Sequence, residues 1–177
     1  MNRFILGILF SLALCSIATA AENPRHLFAR IKARTQHIDK VALVIASELP
    51  NDSLVFSAMT PEEGCTVYFS SQIVMKASTA ELAVLMGHEL AHCELDHHRQ
   101  FRETSEAELL RKQWEFEYEA DDLGLKLVHR IVPGTRTAFE QILSTLPRGV
   151  RHPSGRDRLK AVRTSEREYP VETVAAR

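Results

Sequence analysis

The sequence predicts an α+β fold that is mostly helical, with a small sheet next to one central helix. Two long segments place apolar residues at helical spacing, and each begins at a Ser-x-x-Glu pattern typical of helix N-termini. Short strand-like runs precede the first of these segments. The chain has 177 residues, 45% of them hydrophobic, which suffices to bury one core but not two.

The elements in the first part of the chain follow from short local patterns. Apolar residues at helical spacing predict a first helix over 24–39. The run 41–46 is aliphatic and β-branched, which predicts a buried strand. Segments 53–58 and 66–70 predict a hairpin around the turn at 61–64. We expect the later of these strands to be an exposed edge where an extended peptide could add.

Two helices account for most of the remaining pattern. The first Ser-x-x-Glu pattern predicts a helix that begins near Thr79. Gly87 inside this helix costs about 1 kcal/mol relative to alanine, and close approach of another backbone would explain that cost. Ser105 and Glu108 predict a second capping box, which opens a helix that continues until Pro133.

The predicted central helix contains His88-Glu89-Leu90-Ala91-His92. The two histidines are four residues apart, so they project from one helix face, where two neutral imidazoles can bind one tetrahedral metal ion. Glu89 can accept the proton of a water that attacks a carbonyl group. This pattern is typical of zinc hydrolases, although it also occurs by chance in unrelated proteins.

A catalytic zinc site usually has a third protein ligand. Glu117 and Asp121 lie four residues apart on the second long helix and share a face with Gly124. The small residues Ala120 and Gly124 would allow this helix to approach Gly87. We therefore expect Glu117 to be the third ligand. Asp121 is expected to accept a hydrogen bond from the distal ring nitrogen of a metal-bound histidine.

Residues near the C-terminal end offer a donor for the oxyanion that forms during hydrolysis. His152 is the expected donor, with Arg148 and Arg151 as weaker candidates. Two alternatives stay open: His152 is a surface residue whose following proline starts a helix, or it occupies the open metal position and plugs the site. Surface or helix-end roles are expected for Glu115, Glu119, Asp122, His97 and His98.

Residues 1–20 have the features of a secretory signal peptide. Arg3 supplies a basic region, 4–14 is apolar, and Ala18-Thr19-Ala20 is a small-x-small cleavage site. The apolar run is shorter than the roughly 20 residues of a spanning helix, which disfavours an uncleaved anchor. Lipidation at Cys15 is also disfavoured, because the preceding leucine is too bulky for the usual lipidation pattern.

Cleavage would leave a single domain over 21–177, which we expect in the periplasm. The net charge would change from −1 to −2 because Arg3 is lost. The absence of a basic run with interleaved aromatic residues argues against a nucleic-acid partner, and no second apolar stretch is long enough to span a membrane. Cys65 and Cys93 would remain, either as a disulfide or with Cys93 as a buried free thiol.

The His-Glu-Leu-Ala-His motif, followed by the segment 117–124, resembles the gluzincins, and specifically family 48 of the metallopeptidases, with its HtpX-type and CAAX-prenyl-type endopeptidases. The segment 79–87 and His97 are also similar to elements of that family, as is His152-Pro153 followed by Arg158-Leu159. The resemblance implies a zincin-like metallopeptidase domain with one zinc ion per chain. It further implies that the zinc ligands are His88, His92 and Glu117. In the family, Glu89 would be the general base and Asp121 would support His88.

The chain also departs from the family, since many members have transmembrane helices or accessory repeats. It therefore resembles the small exported members, for which we expect polypeptide substrates, specifically unfolded or misassembled envelope proteins. The alternative is a zinc-containing binding or chaperone-like module with little proteolytic activity. Glu89 favours the enzyme, because a structural zinc site needs no base and normally has no open position.

Overall fold

The computed structural model describes residues 22–50, 53–60, 64–149 and 152–168. The described elements are α1 (Pro24–Lys32), β1 (Val41–Ala46), β2 (Val55–Thr60), β3 (Gly64–Ser70), α2 (Ser71–Lys76), α3 (Thr79–Glu94), α4 (His97–Glu103), α5 (Leu109–Val128), α6 (Thr135–Thr145) and α7 (Gly155–Glu168). The α+β prediction, mostly helical with a small sheet, is confirmed. The predicted signal peptide, Arg151 and most of the predicted hairpin turn lie outside the described residues.

The sheet has the strand order β1-β3-β2, with β3 parallel to β1 and antiparallel to β2. The predicted hairpin is confirmed, but the prediction that its second strand is an edge is wrong, because β3 lies in the centre. The prediction that β1 is a buried strand is also wrong: among the described strands β1 is an edge, and Val44 is 37% exposed. A continuous apolar run does not show whether a strand has neighbours on both sides.

Two helix boundaries differ from those predicted. The first helix ends at Lys32 rather than at residue 39, because its buried apolar stripe ends with Ile31. The Ser105 hydroxyl does donate to the Glu108 carboxylate, and the Glu108 N–H donates to the Ser105 carbonyl oxygen, but α5 begins at Leu109 without a side-chain cap. The second predicted capping box is therefore wrong. Local Ser-x-x-Glu spacing permits the side-chain contact without the helical backbone around it.

The central helix α3 is the element on which most of the fold packs. It begins at Thr79 with the predicted capping box between Ser78 and Glu81. A Cβ atom on Gly87 would lie 2.7 Å from the carbonyl oxygen of Gly124 on α5, so the two backbones are in direct contact at this point. The predicted close approach is confirmed, and it places the histidines of α3 opposite the carboxylates of α5.

A disulfide bond between Cys65 and Cys93 joins β3 to α3, with a Cα separation of 6.0 Å. Both cysteines are buried. The bond attaches the central strand to the helix one residue after His92, so the sheet and the helix are held together next to the histidine pair. None of the helices in the described part of the chain has the length and apolarity needed to cross a membrane.

Replacing Gly87 with alanine tests the close contact between α3 and α5. The new methyl group would meet the Gly124 carbonyl oxygen at 2.7 Å and a Val128 methyl group at 2.8 Å. We expect the free energy of unfolding to fall by about 1–3 kcal/mol, despite the higher helix propensity of alanine. Gly149→Ala is the control, since its nearest neighbours would be 3.9 Å away. Equal urea midpoints for Gly87→Ala and the parent would contradict the contact.

Candidate metal centre

His88 and His92 of α3 and Glu117 of α5 lie together, with one ligand atom of each within 4.8 Å of the others. The two Nε2 atoms are 3.2 Å apart, and each lies 3.7 Å from an oxygen of Glu117. Two nitrogens bound tetrahedrally to zinc at the usual bond length are about 3.3 Å apart. The spacing of the three side chains therefore fits one zinc ion.

Asp121 holds the outer nitrogen of His88. Its Oδ1 lies 3.1 Å from Nδ1 of the ring, and Asp121 is buried with 2% of its surface exposed. An ionised carboxylate only accepts hydrogen bonds, so Nδ1 of His88 carries the proton and Nε2 faces the centre. Asp121 is therefore placed to orient His88, and its role beside a metal-bound histidine stays a prediction.

His97 holds the outer nitrogen of His92. Its Nδ1 lies 2.9 Å from Nδ1 of His92, and its Nε2 lies 3.0 Å from Glu119. Because the carboxylate of Glu119 accepts from Nε2, His97 presents a bare Nδ1, and His92 donates to it from its own Nδ1. The Nε2 atom of His92 is then bare as well and faces the centre.

The expected surface role of His97 is wrong, because this residue is only 2% exposed and its ring stacks on Phe116. His97 does not end the metal helix but begins α4, after Asp96 has adopted a left-handed backbone with φ of 54°. In a continuous helix, a residue five positions after His92 would not lie beside it. The break at Asp96 brings the ring back, and spacing alone could not reveal that break.

Charge and protonation also favour a cation in the centre. Burial, together with the neighbouring His88, lowers the pKa of His92 well below its usual value. Burial would likewise lower the pKa of His88, but the hydrogen bond with Asp121 and the charge of Glu117 outweigh it and raise that pKa. Two ring nitrogens that face each other at 3.2 Å need a shared cation, either a proton or a metal ion. Two imidazoles and a carboxylate are a donor set that zinc accepts.

Arg158 of α7 completes the charge balance, and the sequence had indicated it only as part of a resemblance to a family element. Its guanidinium contacts Asp121 through Nε at 2.7 Å and Nη2 at 2.5 Å, and Glu117 through Nη1 at 2.9 Å. The residue is buried, with 7% of its surface exposed. In a helix as charged as α7, a buried arginine looks like any surface arginine, so the pattern of α7 alone could not single it out.

The two carboxylates stay ionised because of these contacts. Burial, the largest effect, would raise the pKa of Asp121, but the hydrogen bonds from Arg158 and His88 lower it overall. Burial would also raise the pKa of Glu117, and there the hydrogen bond from His152 and the positive charges of His88 and Arg158 lower it well below its usual range. Among the described residues, Oε2 of Glu117 receives no well-aligned hydrogen bond, although Nη1 of Arg158 lies 2.9 Å from it.

Glu89 lies beside the centre and is bound by a residue that the sequence did not indicate. Its Oε2 accepts a hydrogen bond of 2.7 Å from the hydroxyl of Ser57 on β2, and Nε2 of His98 lies 3.2 Å from the same hydroxyl oxygen. Glu89 is 8% exposed, and burial raises its pKa even though His88 and Ser57 act in the opposite direction. His98, expected at the surface, is instead partly buried at this contact.

His152 lies at the rim of the centre, with Nδ1 3.1 Å from Oε1 of Glu117 and 63% of its side chain exposed. The segment does fold back over the metal ligands. Pro153 does not start α7, which begins two residues later at Gly155. Arg148 lies over the ring of Trp114, 4.7 Å from its centroid.

A model of peptidase family M48 matches residues 36–111. The matched segment contains His88, Glu89 and His92 and ends before Glu117. Glu117 and Asp121 are therefore assigned to the site by their contacts with the histidines. No curated protein and no solved structure matches the chain.

Replacing Arg158 with glutamine tests the buried ion pairs in the metal-free protein. At pH 7 we expect the free energy of unfolding to fall by about 3–5 kcal/mol, because two buried carboxylates lose their cation. The carboxylates have lowered pKa values in the folded parent, so their stabilisation exists above their unfolded values near pH 4 and is lost as the pH falls. The difference between variant and parent seen at pH 7 should therefore shrink mainly when the pH is taken below about 4, as measured by urea unfolding.

The control for this prediction is Arg163→Gln on the same helix. Arg163 and its partner Glu140 are 55% and 39% exposed, so this pair should contribute less than about 1 kcal/mol at either pH. A loss in Arg158→Gln no larger than that in Arg163→Gln would contradict the role of Arg158. A loss that does not change with pH would contradict the assignment of its partners as ionised carboxylates.

Proposed function

We propose that this chain, which belongs to peptidase family M48, is an exported zinc-dependent endopeptidase. Family membership implies metallopeptidase activity and polypeptide substrates. The observation that carries the proposal is the pair of histidines whose inner nitrogens face each other at 3.2 Å beside Glu117. Each ring is held by its own acceptor, so both bare nitrogens point to one position.

His88, His92 and Glu117 would hold the zinc ion. Three protein ligands leave a fourth position open, which is the arrangement of catalytic rather than structural zinc sites. When bound, zinc would polarise the scissile carbonyl and lower the pKa of the attacking water. Asp121 and His97 fix the orientation of the two imidazoles, and such outer contacts commonly influence metal affinity and activity.

Glu89 is the proposed general base. It follows His88 directly in α3, is buried beside the centre, and has a pKa raised by burial, which suits a group that must take up and release a proton. Its carboxylate would accept a proton from the attacking water and later deliver it to the leaving amine. A carboxylate in this position has no purpose in a site that merely binds metal.

His152 is the proposed donor to the oxyanion. Its ring contacts Glu117 and is 63% exposed, so it lies between the ligands and the solvent from which a substrate arrives. An N–H group in that position can hydrogen-bond the negative charge that develops on the carbonyl oxygen. The contact with Glu117 also allows the alternative in which His152 occupies the open metal position at rest. The coordination shell of the metal distinguishes the two roles, because His152 is a metal ligand only in the second.

The edge strand β2 replaces β3 as the proposed site of substrate docking. The outer side of β2 pairs with no other strand among the described residues, and the strand packs against α3. An extended peptide can add to such an edge through main-chain hydrogen bonds. This mode of binding requires an unfolded or extended segment, which agrees with a substrate class of unfolded or misassembled proteins.

The proposed location is the periplasm, and the proposed process is quality control of envelope proteins. The pattern of residues 1–20 supports export. The disulfide between Cys65 and Cys93 supports it independently, since disulfides persist in oxidising compartments. The second candidate function, a zinc-containing binding or chaperone-like module, would share both features. The base Glu89, the open fourth metal position and the family match favour the enzyme.

Replacing Glu89 with glutamine tests the proposed mechanism. The variant should bind one zinc ion per chain like the parent, since Glu89 is not a proposed ligand. Cleavage of casein should fall by about 100- to 10,000-fold, the range typical of losing a general base. Glu103→Gln on α4 is the matched control, because this carboxylate is 60% exposed, and it should keep full activity.

Equal casein cleavage by the parent and Glu89→Gln would contradict the assignment of the base. A zinc-loaded parent that cleaves no casein would contradict the enzyme and favour the binding module. Metal content measured on the same samples separates a lost base from a lost zinc ion.

A further inference from the structure

Ser57 interrupts an apolar face of β2. Side chains alternate along a strand, so Val55, Ser57 and Met59 share one face. Val55 and Met59 pack against the hydrophobic core, whereas the hydroxyl of Ser57 donates to Oε2 of Glu89 at 2.7 Å. A polar residue between two apolar ones on an inward face is explained by this contact, because a buried carboxylate needs a hydrogen-bond donor.

The direction of the hydrogen bonds follows from the donors that are present. The Ser57 hydroxyl has one proton, which goes to the carboxylate of Glu89 because a carboxylate can only accept. Nε2 of His98, 3.2 Å from the Ser57 oxygen, must then be the donor of the second bond. The three groups form a directed chain from His98 through Ser57 to Glu89.

The chain fixes which oxygen of Glu89 is free to react. Oε2 is engaged by Ser57, and rotation of the carboxylate would break a charge-assisted hydrogen bond. We propose that Ser57, supported by His98, is a positioning residue that holds Glu89 with Oε1 directed to the attacking water. This inference rests on the proposed function. The ring of His98 lies 6.4 Å from that of His92, but in this role both residues act through the carboxylate of the base.

The surrounding fold holds the chain in place. Ser57 pairs with Val67 of β3, and β3 is linked to α3 through Cys65 and Cys93. A ring nitrogen of His98 lies within 4.8 Å of both sulfur atoms of this disulfide. The strand that carries Ser57, the helix that carries Glu89 and the helix that carries His98 therefore meet at one covalent cross-link.

The position of Ser57 also couples the base to substrate binding. β2 is the edge strand on which the proposed substrate docks, and Ser57 lies in its middle. A peptide added to this edge would order the backbone that presents the hydroxyl. The base is thus aligned by the same strand that binds the substrate.

Kinetics of Ser57→Ala and Ser57→Thr on the zinc-loaded full chain test the proposal. Ser57→Ala should lower kcat by about 10- to 100-fold, as expected for losing a hydrogen bond to a charged group, with KM and zinc content close to those of the parent. Ser57→Thr keeps a hydroxyl and should restore most of kcat. His98→Ala should give a smaller decrease than Ser57→Ala, and His98→Gln, which retains a donor, should recover part of it.

Ser144→Ala is the matched control, since this hydroxyl is exposed, donates to the Gln141 carbonyl oxygen and should not affect kcat. Parental kcat in Ser57→Ala would overturn the proposal. Equal kcat in Ser57→Ala and Ser57→Thr would also overturn it, because a packing role would not be rescued by the hydroxyl alone. A change confined to KM would assign Ser57 to substrate binding instead.

A stability measurement gives a second readout that needs no activity. In the metal-free protein, Ser57→Ala and Glu89→Ala should not be additive in their effects on urea unfolding, because they remove the two halves of one hydrogen bond. Additive effects would overturn the contact. If the zinc-loaded parent cleaves nothing, the proposed function fails, and this coupling alone then decides whether Ser57 holds Glu89.

Discussion

The contact between the backbones of α3 and α5 at Gly87 and Gly124 is the constraint on which the site depends. Metal ligands on two helices must lie within a few ångströms, and ordinary side chains at a crossing keep helix axes about 8–10 Å apart. With no Cβ atom at either position, the helices can approach until a methyl group would meet a carbonyl oxygen at 2.7 Å. This approach brings Glu117 within 3.7 Å of both histidine nitrogens.

The close approach of α3 and α5 buries two carboxylates next to the histidines, and neighbouring cationic and hydrogen-bonding groups compensate their negative charge. Asp121 and Glu117 are buried carboxylates that would be costly alone, and Arg158 contacts both. Each histidine has a carboxylate behind it, directly through Asp121 or through His97 and Glu119 beyond it. The same arrangement stabilises the metal-free fold and leaves the inner nitrogens bare, so the groups that stabilise the protein also prepare the site for a cation.

Local patterns predicted those parts of the fold and site that depend on spacing along one element. The start of α3, the hairpin of β2 and β3, and the proximity of Glu117 to the histidines follow from periodicities of two and 3.6 residues and from small residues at a crossing. Contacts that depend on where a helix ends, or on which elements become neighbours in the fold, were not predictable. His97 reaches His92 only because Asp96 turns left-handed, and Arg158 and Ser57 come from elements whose neighbours cannot be read from their own sequence.

The central claim is that this centre is a catalytic zinc site with an open position, and the coordination shell of the zinc-loaded chain tests it most directly. A crystal structure with anomalous diffraction at the zinc edge should show one zinc ion per chain bound by His88, His92 and Glu117, with a water molecule in the remaining position. A shell without Glu117, or one completed by a fourth protein side chain such as His152, would contradict the account.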